Sequence, residues 1–217
     1  MDNSYIDSWK NSSTVFQKQL DLNLQYFKSG LYPPHWLSFI SLMKITNSIT
    51  PVRTILDIGC GCGAGFELCR REFPGIIYTG FDYSSHAIAL ARKWWKQDCF
   101  HVKNLWNLTV ADLSYDMVYC DALFNVLPNG DEALKFFVSD LHPVRAILNR
   151  VDSTQQESSY RIYDAYNEIS TYGYVHNLEQ LWQILRGGTW NYLVTRQDNT
   201  FLIRKLNPLN QAASLIC

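Results

Sequence analysis

A chain of 217 residues with 47% apolar content is long enough to bury a full core without disulfide or metal staples, and its composition excludes a disordered chain. Lys and Arg number 19 against 20 Asp and Glu, for a net charge of −1, which argues against a broad electrostatic surface for nucleic acid or acidic membranes. No run approaches the roughly 18 apolar residues of a membrane-spanning helix, and Met1–Asp7 lacks the basic and apolar regions of a secretory signal. The expected compartment is the cytoplasm. The six cysteines (Cys60, Cys62, Cys69, Cys99, Cys120 and Cys217) are therefore expected to be free thiols, with no disulfide framework and no metal site.

The first fifty residues read as helical. Phe16, Leu20, Leu24, Phe27 and Leu31 step by three or four and fall on one helix face. Gly30 and Pro33-Pro34 break that helix. A second pattern of Trp36, Leu37, Ile40, Met43 and Ile45 runs to Asn47–Pro51. From residue 52 the texture changes. Strands are expected at 52–58, 76–81, 99–103, 116–120 and 144–151, alternating with helices at 64–72, 84–96 and 131–140. On the 84–96 helix, Ala87, Leu90, Ala91 and Trp94 share the inward side. The Tyr-rich stretch 152–176 (Tyr160, Tyr163, Tyr166, Tyr172, Tyr174) has no clean periodicity. It reads either as an insertion shaping a pocket or as a covering loop. A helix at 177–186 and two strands, 189–196 and 200–206, joined by Gln197-Asp198-Asn199, close the pattern. The alternation predicts an α/β fold: a mostly parallel sheet with helices on both faces, preceded by a helical cap over 1–50, with the main domain at 51–217.

The strongest local signal is Ile55-Leu-Asp-Ile-Gly-Cys-Gly-Cys-Gly-Ala-Gly65, between a strand and a helix. Glycines there let the backbone approach a ligand closely. Gly59, Gly61 and Ala64 also fit a relaxed dinucleotide pattern. Asp57, two residues before the first glycine, decides between ligands. Its carboxylate would repel a pyrophosphate but suits a cation, which favours S-adenosylmethionine, with its sulfonium and ammonium, over NAD.

Asp57-Ile-Gly-Cys-Gly-Cys-Gly63 resembles motif I of the class I, Rossmann-like S-adenosylmethionine-dependent methyltransferases, and Gly80-Phe-Asp82-Tyr-Ser-Ser85 resembles their second motif. The resemblance spans about residues 52–206. It implies a seven-stranded sheet with an antiparallel last strand and N-terminal helices forming a lid. It also implies that Asp57, Gly59, Cys60, Gly61 and Gly63 cradle the cofactor, that Asp82 binds the ribose diol, and that Tyr83 packs on the adenine. Asn104 and Leu105 fall at the third motif, where the family usually carries an acid; an Asn amide oxygen still accepts from an exocyclic amine. Tyr115–Leu127 resembles strand four and its active-site loop, with Asp121 beside the cofactor and Asn125 where many members carry a His.

Methyl transfer from a sulfonium is an in-line displacement that needs alignment in a dry site, and a hydroxyl acceptor also needs a base. Asp121, Asn125 and His176 are the expected catalytic residues, with Arg150 and Asp152 as further groups at the strand ends. Tyr5, Trp9, Tyr26, Phe27, His35 and Trp36 are aromatic candidates for the lid or the acceptor pocket. The spacing of Asp121, Asn149 and Asp152 at the ends of strands four and five does not reproduce the adjacent Asp-Asn pair of metal-dependent catechol-type O-methyltransferases, so no metal is expected. The Asn/Asp/Ser-Pro-Pro-aromatic and Pro-Cys signatures of nucleic-acid enzymes are missing too. The expected reaction is methylation of an O or N atom of a small molecule, releasing S-adenosyl-L-homocysteine, by a monomer or homodimer that binds neither nucleic acid nor membrane. The alternatives are a protein or nucleic-acid methyltransferase, a non-catalytic S-adenosylmethionine-binding partner, and an NAD(P) oxidoreductase.

Overall fold

The computed structural model describes residues 12–167, 169–186 and 192–206. Tyr5, Trp9 and Cys217 lie outside the described residues, as do the side chains of Tyr163 and Tyr172.

Two helices open the fold. Ser12 caps α1 (Ser13–Ser29) by accepting from the Val15 amide, and Gly30, at φ 71°, ends it. Pro34 starts α2 (Pro34–Ile49), where its missing N–H costs nothing. Then come β1 (Thr54–Ile58), α3 (Ala64–Glu72), β2 (Ile77–Asp82), α4 (Ser85–Trp95), β3 (Phe100–Val102) and β4 (Met117–Asp121). After these run α5 (Leu123–Val126), α6 (Gly130–Lys135), β5 (Arg145–Asn149), β6 (Ser153–Thr154), β7 (Ser159–Ala165), β8 (Ile169–Asn177), α7 (Leu178–Arg186), β9 (Tyr192–Gln197) and β10 (Thr200–Lys205).

Seven strands form one sheet in the order β3-β2-β1-β4-β5-β10-β9. β1 to β5 are mutually parallel, and β10 runs antiparallel to both β5 and β9. Strand alternation sorts the side chains into two cores. Leu56, Val118, Cys120, Ala146 and Leu148 face α6 and α7, while Ile55, Met117, Tyr119 and Ile147 face α2, α3 and α4. Strand order reverses at β1, whose neighbours β2 and β4 leave a crevice at the carboxyl ends, where sheets of this kind bind ligands.

Several sequence expectations change. Helix α2 contributes Trp36, Phe39, Ile40 and Met43 to the core, but Leu37 and Ile45 are exposed, as is Leu31. On α4 it is Trp95 that turns inward, its indole donating to the Cys62 carbonyl at 2.8 Å; Trp94 is exposed. The 131–140 helix is α6 followed by a π-helical turn over Phe136–Leu141. The Tyr-rich stretch is a second, three-stranded sheet in the order β6-β8-β7, in which β7 and β8 form a hairpin. Its tip holds Tyr166 and Asn167 at positive φ and receives the Lys18 ammonium at the Tyr166 carbonyl. That contact brings α1 and the hairpin together. No described helix is long and apolar enough to cross a membrane.

Candidate cofactor and acceptor site

The loop from β1 to α3 is built around Asp82. Its Oδ2 accepts from the Gly61 amide and its Oδ1 from the Ser84 amide, both at 2.8 Å. Each oxygen keeps one lone pair for a ligand hydroxyl. Burial raises the Asp82 pKa to about 6, and the two amides oppose that rise. Gly61, at φ 51°, faces Gln19 of α1, and a Cβ there would meet the Gln19 Oε1 at 2.8 Å. Gly63, at φ 84°, is the left-handed residue that lets the chain turn into α3.

Two adjoining cavities lie over this loop. The first, about 300 Å³, is walled by Asp82, Tyr83, Leu123 and Val126 and roofed by Phe16 of α1 and Ala165 of the hairpin. The second, about 260 Å³, reaches beneath the N-terminal helices to Tyr26, His35, Trp36, Asp57, Cys60 and Tyr119. Gln19, Gly59, Gly61, Asp121, Arg150 and Tyr166 line both.

At the end of β4, Asp121 is clamped by the Arg150 guanidinium through Nε at 2.7 Å and Nη2 at 2.9 Å. Burial would lower the Arg150 pKa, but the Asp121 charge overcomes it and leaves the guanidinium firmly charged. Arg150 sits at φ 54° just past β5. Asn149 fixes that bend: its Nδ2 donates to the His35 carbonyl and the Tyr119 hydroxyl, and its Oδ1 accepts from Thr200 on β10. Across the cavity, the His35 Nε2 stands 4.0 Å from Asp121. Burial lowers the His35 pKa, against the pull of Asp121, so the ring is neutral at pH 7.

Asp57 is fully buried. The Tyr78 hydroxyl donates to its Oδ2 at 2.5 Å, and its Oδ1 has no hydrogen-bond partner. Burial raises its pKa to about 8; the Tyr78 bond opposes this, while Asp121 and Asp82 add to it.

Other expected residues lie elsewhere. The Asn104 side chain accepts from the Trp106 amide and caps a short 3-10 turn, and Leu105 is buried in the core; neither lines the cavities. Asn125 is buried and accepts from the Asp152 amide, and the next residue, Val126, is the one that faces the cavity. His176 is fully buried behind α5, its Nδ1 2.6 Å from Asp131, which also accepts from the Tyr174 hydroxyl. It lines neither cavity. Asp152 accepts from Asn199 and Arg161 and lines neither cavity. Five described cysteines are free.

Residues 56–144 match the family model described as a methyltransferase domain. The crevice at the strand-order reversal, the glycine loop and the acid ending β2 all fall within that match or at its edge. Over that stretch the chain is similar to methyltransferase domains. Among curated relatives, the chain is 24% identical over 108 residues to the trans-aconitate 2-methyltransferase of Variovorax paradoxus, covering 50% of this chain and 42% of that one. It is 32% identical over 100 residues to the malonyl-[acyl-carrier protein] O-methyltransferase of Bacillus cereus, covering 45% and 37%. The matched region thus spans less than half the length of these relatives. Its fold resembles an S-adenosylmethionine-dependent methyltransferase from Clostridium acetobutylicum (TM-score 0.59, 14% identity, 87% and 98% of the chains covered). An amino pentose methyltransferase from Micromonospora echinaspora is similar to the same degree (TM-score 0.58, 13% identity, 85% and 97% covered).

The residues lining the two cavities fit S-adenosylmethionine. The lining carries the acids Asp57, Asp82, Asp121 and Asp164 against the single guanidinium of Arg150, so it suits a cation and a diol and disfavours a pyrophosphate. The orphaned Oδ1 of Asp57 is the kind of buried acceptor that a ligand ammonium completes.

Proposed function

We propose that the chain transfers a methyl group from S-adenosylmethionine to an O or N atom of a small-molecule acceptor. The observation that carries this reading is the pair of carboxylates, Asp57 and Asp82, flanking one glycine loop over a cavity walled by Asp121 and Arg150. The bound cofactor supplies an electrophilic methyl carbon on a sulfonium. The rest is done by the chain's own side chains. Asp82 receives the ribose hydroxyls on its free lone pairs, Tyr83 covers the adenine, and the loop glycines let the backbone approach. Helix α1 and the hairpin tip keep bulk water from the centre, with α1 acting as the lid of the N-terminal cap (1–50) over the 51–217 domain.

The acceptor lies against Leu123, Val126 and Ala165, in the part of the first cavity that the ribose and adenine groups leave open. Acceptors as small as those named for trans-aconitate or amino pentose methyltransferases match a cavity of this size. A hydroxyl or amine acceptor passes its proton to a base. His35, neutral and beside Asp121, takes that role, and Asp121 then steadies the imidazolium. Neither Asn125 nor His176 enters the reaction in this reading.

The test is titration calorimetry with S-adenosylhomocysteine and with NADH, followed by transfer of a ¹³C-methyl group from labelled S-adenosylmethionine to a panel of hydroxy acids, phenols and amino sugars, read by mass spectrometry. Binding of S-adenosylhomocysteine without NADH binding, and a labelled small product, are expected. Tighter binding of NADH defeats the reading.

A further inference from the structure

Tyr78 lies outside every glycine-loop motif, yet it is the one described side chain that bonds to Asp57. The β1–β2 register pairs Ile55 with Tyr78 and Asp57 with Gly80, which puts the phenol and the carboxyl on the same face of the sheet. Phe66 and Phe100 pack edge-on against the Tyr78 ring at 5.6 and 6.0 Å and hold its direction. The space the pair needs is left by Gly65: a Cβ there would collide with the Asp57 Oδ2 and press the Tyr78 hydroxyl at 3.3 Å. A Phe would fill this corner of the core as well as Tyr, so the hydroxyl serves the carboxyl.

Either protonation state leaves Asp57 incomplete. As a carboxylate, its Oδ1 has no donor; as a carboxylic acid, its proton has no acceptor there. Burial favours the acid and the nearby Asp121 and Asp82 charges add to it, while the Tyr78 bond opposes it. Asp82 and Tyr78 face Asp57 from β2, Tyr119 and Asp121 from β4, Cys60 from the loop and Cys69 from α3. None of these is cationic. His35 and Arg150 stand across the cavity, and Arg150 is spent on Asp121.

We propose that Tyr78 is a positioning residue for the amino-acid end of the cofactor: its hydroxyl pins one oxygen of Asp57, leaving the other to pair with an incoming ammonium in exchange for the carboxyl proton. This rests on the methyltransferase reading above. In the exchange the Asp57 O–H bond breaks, its proton leaves to the buffer, and the carboxylate pairs with the still-protonated ammonium. Binding a ligand that carries the amino-acid tail therefore releases a proton, whereas binding the nucleoside alone does not.

The experiment is titration calorimetry of the full chain at pH 7 in phosphate and in Tris, where the dependence of the heat on buffer counts protons. S-Adenosylhomocysteine is compared with 5′-methylthioadenosine, which lacks the amino-acid tail. The unmutated chain is expected to release about one proton with the first ligand and none with the second. Asp57→Asn abolishes the release. Tyr78→Phe weakens S-adenosylhomocysteine about tenfold, the range of one hydrogen bond to a charged group, and leaves methylthioadenosine within about twofold. Binding of S-adenosylhomocysteine with no proton released overturns the proposal alone, as does a Tyr78→Phe variant that weakens both ligands equally. No binding of either ligand to the unmutated chain overturns the methyltransferase reading and this proposal with it.

Discussion

Replacing Asp57 by Asn is expected to make the unliganded protein more stable at alkaline pH. The buried carboxyl ionises at about 8 in the fold against an ordinary value of 3.8. The folded value is the higher one. Below about pH 4 both states hold the proton and nothing is lost. As pH rises from 4 to 8 the unfolded chain ionises while the fold keeps its proton, so stability falls, and above 8 the full penalty is present. At about 1.4 kcal/mol per pH unit the upper bound is roughly 5–6 kcal/mol. Asn never ionises, but its amide places an N–H₂ at the position of the unpartnered oxygen, which costs about 1–3 kcal/mol. The net gain expected at pH 8.5 is therefore at most about 2–5 kcal/mol, shrinking and then reversing near pH 4.5. Urea melts of both proteins without ligand at pH 4.5, 6.5 and 8.5 measure it. A variant less stable by the same amount at all three pH values would refute the idea that the fold strains against this carboxylate.

Gly65→Ala should cost about 1–3 kcal/mol by overpacking against Asp57 and abolish binding of S-adenosylhomocysteine, as read by thermal denaturation and calorimetry. His176→Leu should lower stability by about 1–3 kcal/mol through the loss of its Asp131 partner, with S-adenosylhomocysteine affinity within about twofold; a large loss of affinity would return His176 to the site. Arg150→Met should destabilise by about 1–3 kcal/mol and Asp121→Leu added to it should recover part of that, since the second change removes the stranded charge; a chemical-denaturation double-mutant cycle measures the coupling. In the unliganded protein, NMR titration of the His35 ring should show a midpoint below 6.5, and Asp121→Asn should lower it further; a midpoint above 6.5 would show that the Asp121 charge outweighs burial at this ring.

The parallel half of the sheet was legible because buried strands ending in Asp57, Asp82 and Asp121 leave short apolar runs, with punctuation by glycine and proline. Helix Ala64–Glu72 matched its expected bounds because a glycine loop and a helix-ending aromatic frame it. The hairpin was not legible. Its strands form a small second sheet whose polar and aromatic residues carry no clean apolar alternation. Helical spacing put Trp94 on the inward side, but the contact with the Cys62 carbonyl turns its neighbour Trp95 inward instead. In the site, the acids were readable because strand ends and glycines mark them. His176 carries the residue type of a base, but depth behind α5 is invisible in one dimension. Tyr78 looked like any strand aromatic, and only the register across β1 and β2 ties it to Asp57. Gln19 and His35 come from helices far from the loop in sequence and are brought to it by packing against the sheet.

The position of β10 between β5 and β9 bears on how the protein is made. Until residues 200–205 leave the ribosome, β5 has an open flank, and the bend at Asn149 lacks the Thr200 hydroxyl that fixes it. Arg150 hangs from that bend, so the clamp on Asp121 matures only once β10 has emerged. A nascent chain stalled before β10 would own its glycine loop but not a finished catalytic wall.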